Sequence, residues 1–195
     1  MQDEKNTQEL KDRLELIESM LAAGRRTTEN WGWTFVLWGV AYYVAIAWRN
    51  LAHSNLAWPV TMIGAAILTC IIAARKRPQA PETTMGRAVG SIWISLGISM
   101  FLLFMSLGFS NRMEFHVFVA IACAMLGMAN ATSGMILKWK MQLTCAVVWW
   151  IAAIAACYGS QMQTFVVFLA AIFFCQIVFG IYAMIRGSKR GAVHA

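Results

Sequence analysis

Charge is what this sequence lacks most. Only 13% of its 195 residues are charged, against about a quarter in a soluble domain. Runs 31–48, 56–74, 88–109, 115–137, 141–158 and 163–185 contain no Asp, Glu, Lys or Arg. That absence excludes an ordinary soluble globule. It also argues against proton-coupled transport, which places ionisable groups inside the membrane. Paired cysteines are missing too. Cys70, Cys123, Cys145, Cys157 and Cys175 all fall inside apolar runs, and none forms a C-x-x-C pair. They read as small buried hydrophobes, with no metal and no cofactor implied. No nucleophile–base constellation is visible, so no enzyme is expected. An apolar leader is lacking as well, so the first run is expected to act as an uncleaved insertion signal.

What is present is length. Each run is 18–23 residues long, and a hydrocarbon core of about 30 Å needs around 20 helical residues. The expected fold class is an all-α membrane protein with six transmembrane helices. Short breaks between runs predict three antiparallel hairpins, over 31–74, 88–137 and 141–185. The implied organisation is an N-terminal segment 1–30, a six-helix domain 31–185 and a basic tail 186–195.

Cations set the expected orientation. Of the 16 Lys and Arg residues, all but Arg49 and Arg112 fall on the side that carries both termini. The positive-inside rule places that side in the cytoplasm. Trp31, Trp33, Trp48, Trp58 and Trp139 sit at run ends, as an interfacial aromatic belt does. A net charge of +7 is thus explained by topology and anionic headgroups, with no nucleic acid partner expected.

Residues 1–30 differ from the rest and hold seven of the nine carboxylates. Leu10, Leu14, Ile17 and Leu21 recur at spacings of four, three and four, which is one helical face. Asn6 with Glu9 resembles a capping box. The pattern predicts an amphipathic helix over about 7–23, a break near Gly24, and a partner-binding face at those four apolar residues. A cytoplasmic protein, a second copy of the chain, or the chain's own basic break (Arg75, Lys76, Arg77, Arg87) would cover it.

Within the spans, the fourth is the most polar. Asn130, Thr132 and Ser133, with Gln176 in the sixth span, form a candidate polar core, and Asn130 is expected to pair with Gln176. His53, Glu114 and His116 share the opposite surface as weakly spaced metal ligands.

Ile17-Glu18-Ser19-Met20, Trp31-Gly32-Trp33 and Leu37-Trp38-Gly39-Val40 resemble a group of small bacterial multi-pass proteins. In these a short amphipathic helix leads into a Leu-Trp-Gly first span. The resemblance covers about the first 50 residues, implies a bacterial inner-membrane setting and carries no catalytic residue. The six-span plan also resembles HdeD-like proteins in architecture alone. The expected function is non-enzymatic: a regulatory, sensory or assembly component acting through protein interaction. The alternative is a small transporter, channel or lipid-handling protein built on the polar core.

Overall fold

A computed structural model describes residues 2–54, 56–75, 84–110 and 114–192. Among them every element is helical. The α-helices are α1 (Gln2–Asn30), α2 (Gly32–Ala52), α3 (Ala57–Arg75), α4 (Thr84–Phe109), α5 (Phe115–Ile136), α6 (Lys140–Tyr158), α7 (Gln161–Ile172) and α8 (Phe179–Ala192). A π-helical stretch, Phe173–Val178, joins α7 to α8 without a break. Six helical stretches are long and apolar enough to cross a membrane, each overlapping one charge-free run. Hydrocarbon offers no water to backbone groups, so a uniformly apolar run of this length must satisfy them internally, as a helix does.

Local expectations need three corrections. No break occurs at Gly24, because α1 runs unbroken to Asn30. The glycine serves close approach instead: a Cβ there would lie 2.8 Å from Leu137 Cδ2 and 3.0 Å from Met85 Cβ. The chain bends at Trp31, whose N–H is shared between the Thr27 and Thr28 carbonyls at 3.1 and 3.2 Å. Nor does α1 start at an Asn6 box, since helix is already present at Gln2 and Glu9 pairs forward with Arg13. The basic tail is not separate either, because α8 stays helical to Ala192. The break residues Asn55, Lys76, Arg77, Pro78, Pro81, Asn111 and Arg112, and the end 193–195, lie outside the described residues.

The most extensive packing is between α5 and α6. They run antiparallel, with Gly134 against Leu143 and Gly127 against the Trp150 indole. Their turn is a Schellman motif: Trp139 N–H donates to Gly134 O at 2.8 Å, and Lys138 N–H to Met135 O at 3.2 Å. Lys138 takes the left-handed conformation this motif requires, at φ 48°.

The first span closes onto the last through glycines. A Cβ on Gly32 would meet Gly180 O at 2.9 Å and Ala183 Cβ at 2.9 Å. One on Gly180 would meet Gly32 O at 2.8 Å, and one on Gly39 would meet Ile177 Cγ1 at 2.9 Å. Further along, the Tyr43 hydroxyl donates to Leu169 O at 2.8 Å. Phe35, on α2, then packs edge-on to Phe179, 5.1 Å between centroids. The core holds Trp149, Phe168, Ile172, Phe179 and Leu137, all fully buried. By contrast α3 and α4 are largely exposed, and Gly64, Gly90 and Gly97 have nothing within 4 Å of an added Cβ.

This contrast predicts opposite effects of one substitution. Gly32→Ala forces a methyl onto backbone atoms and is expected to destabilise by about 1–3 kcal/mol. Gly97→Ala meets open space and should be neutral, or stabilising by up to about 1 kcal/mol from helix propensity. Melting temperatures of the two variants in one detergent check this; equal shifts would contradict the packing.

Candidate functional site

The apolar face of α1 is divided. Leu10, Leu14 and Ile17 are 60%, 54% and 49% exposed, whereas Leu21 is 8% exposed. The face continues through Gly24 and Thr28, both buried. Its C-terminal half is therefore covered by this chain's own helix ends, and its N-terminal half is exposed. Of the four residues expected to bind a partner, three are exposed and Leu21 is buried.

Two polar contacts hold the docked half. Arg25 Nε donates to Leu137 O at 2.6 Å and its Nη2 to Lys138 O at 2.8 Å. These carbonyls close α5, so the guanidinium neutralises the negative end of that helix while meeting acceptors that α5 cannot satisfy itself. Glu29 is 2% exposed and its carboxylate lies 3.3 Å from Arg186 Nε of α8. Arg186 also donates to the Tyr182 hydroxyl at 2.7 Å. A carboxylate this buried needs its cation, since desolvation disfavours a lone charge. Neither contact was expected from the sequence. The signal was there in part: residues 21, 24, 25, 28 and 29 extend the same helical face by one heptad. Of the basic break expected to cover α1, Lys76 and Arg77 are outside the described residues; Met85, two residues before Arg87 on α4, packs against Gly24.

The polar core is assembled differently from the expectation. Asn130 and Ser133 are fully buried and one turn apart on the inner face of α5. Asn130 Nδ2 donates to Leu126 O of its own helix at 2.8 Å, and not to Gln176. Gln176 sits in the π-helical stretch against Gly39, 3.0 Å from that residue's ideal Cβ. Thr132 points elsewhere: it is half-buried and its hydroxyl donates to Met128 O at 2.9 Å. Sequence reasoning missed Gln142, which is fully buried on α6. As the second residue of a run it reads as interfacial, but the tight α5–α6 turn carries it inside. Asn130 Oδ1, Ser133 Oγ and both amide atoms of Gln142 have no hydrogen-bond partner among the described residues.

The surface trio does not form a metal centre. His116 Nδ1 lies 3.1 Å from the Ala156 carbonyl and 3.1 Å from the Thr164 hydroxyl, tying α5, α6 and α7 together. His53 closes α2 in a left-handed conformation. No metal-ligating group of three His, Cys, Asp or Glu occurs among the described residues.

Arg186→Ala should destabilise by about 2 kcal/mol, below the 3–5 kcal/mol of a fully buried pair. The discount follows because the Arg186 side chain is 38% exposed. Adding Glu29→Leu should recover part of the loss, because no buried charge then remains. A melting-temperature cycle over the four proteins tests this, and a double variant no better than Arg186→Ala would refute it. Comparison with protein families, with curated proteins and with solved structures finds no match for this chain.

Proposed function

We propose that this protein is a non-enzymatic component of a bacterial inner membrane that acts through protein interaction. It spans the bilayer as three antiparallel hairpins, with both termini in the cytoplasm and an amphipathic α1 as its contact element. The exposed stripe Leu10, Leu14, Ile17 carries this reading. Leucines in water on a helix whose other half is firmly docked are a surface awaiting a partner, as in helix-in-groove recognition. The docked half gives the stripe a fixed base. Arg25 links α1 to the α5–α6 turn, and Glu29 links it to α8. A partner gripping the stripe therefore pulls on two places in the bundle, which suits a regulatory or sensory component.

Leu14→Asp with Ile17→Asp is expected to abolish capture of a soluble partner from native membranes and to leave the melting temperature unchanged. These positions are the right ones to alter, because removal of residue 21 or 24 would unpack the bundle. Identical capture by both baits would sink the interaction reading.

A second reading rests on the unpartnered amide and hydroxyl atoms of Asn130, Ser133 and Gln142. Buried polar groups are ordinarily satisfied, and unsatisfied ones on facing helices suit a protein that handles a small polar solute. If so, Asn130→Leu stops solute entry into reconstituted vesicles, while it leaves partner capture intact. Undiminished entry would remove this reading.

A further inference from the structure

We infer that a groove between α4 and α5, with the cations above its mouth, binds an anionic phospholipid of the leaflet on the terminal side. The inference goes beyond the interaction reading and does not use the exposed half of α1.

The groove is open along one side and offers about 390 Å³. Ser91, Ile92, Ser95, Leu96 and Ser99 of α4 line it on one side and Met125, Met128 and Thr132 of α5 on the other. The eight rises of 1.5 Å from Ser91 to Ser99 make it about 12 Å long. Two of its four hydroxyls turn back into their own helices: Ser91 Oγ donates to Arg87 O at 2.9 Å, and Thr132 Oγ1 to Met128 O at 2.9 Å. The exposed lining is mostly methyl, methylene and thioether, with the Ser95 and Ser99 hydroxyls between. Such a lining fits an acyl chain.

The mouth has the opposite character. Arg87 stands one turn above Ser91, while Lys138 and Lys140 lie on the α5–α6 turn. Gly24 of α1 abuts both Met85 of α4 and Leu137 of α5, which brings Arg26 to the same end. Arg26, Arg87, Lys138 and Lys140 are all exposed. The first turn of α4 carries no acidic residue. The carboxylate of α1 at this end, Glu29, is buried against Arg186. Cations at headgroup level above an apolar slot at acyl depth match one chemistry: a phosphate with a hydrocarbon tail. A second copy of the chain is disfavoured as occupant, because two-fold pairing through this face sets its cations against their own copies.

The test uses purified full-length protein, with lipid retention read by native mass spectrometry and stability by thermal melting. The probes are phosphatidylglycerol, phosphatidylcholine with the same acyl chains, and inorganic phosphate. Phosphatidylglycerol should bind preferentially and raise the melting temperature, and phosphate alone should do neither. Arg87→Gln with Lys138→Gln and Lys140→Gln should weaken its retention about a hundredfold, from the loss of three headgroup-level cations. Ser95→Phe, which fills the groove and leaves every cation, should abolish the preference; Ser99→Leu serves if Ser95→Phe lowers the lipid-free melting temperature. Retention unchanged in the filled variants reduces the effect to surface attraction and overturns the site. So does stabilisation by inorganic phosphate alone, which marks a headgroup-only anion site. Conversion of a dimer to a monomer by Ser95→Phe, without phosphatidylglycerol preference, assigns the groove to a second copy and likewise overturns it.

Discussion

The contact of α2 with α8 is the interaction on which the rest depends. In hydrocarbon, helices gain nothing hydrophobic by meeting, and association rests on close van der Waals approach. Gly32, Gly39 and Gly180 supply that approach, with glycine facing the partner's backbone from both sides. This contact brings the first span against the last and so closes the bundle. It also sets the position of α1. Because α1 continues from α2 after only a bend at Trp31, the glycine contact carries Glu29 to Arg186 and Arg25 to the end of α5.

Docking of α1 then divides one amphipathic face between two uses. Residues 21, 24 and 28 complete the bundle, and residues 10, 14 and 17 project beyond it. A helix anchored this way is stiffer than a tethered one, because a buried ion pair and a charge-assisted cap hold its base. Any force applied to the free half reaches α5 and α8 directly.

Packing is uneven across the spans. The pair α5–α6, with α7 and α8, makes a dense core around Trp149, Phe168 and Phe179. The pair α3 and α4 lies at its edge, with glycines that meet nothing and a groove on one side. Dense packing explains the buried Asn130 and Gln142, which close approach drew inside. Loose packing explains why a slot survives between α4 and α5.

Much of the architecture was legible without coordinates. The six charge-free runs, their lengths and the helical face at Leu10, Leu14 and Ile17 follow from solvent preference and periodicity, both of which are local. Gly24 was misread because a glycine signals a helix end or a close neighbour equally well, and only the neighbour's position decides. Asn130 and Gln176 were expected to pair because their depths match. Depth is a one-dimensional property, and the azimuth that turned Asn130 to Leu126 and Gln176 to Gly39 is not. The sequence by itself determined how many stretches are long and apolar enough to span a membrane, since each residue carries its own transfer free energy. Only the tertiary structure decided which faces meet, that Glu29 finds Arg186 and Arg25 finds the end of α5. Those outcomes depend on distances between residues far apart in the chain.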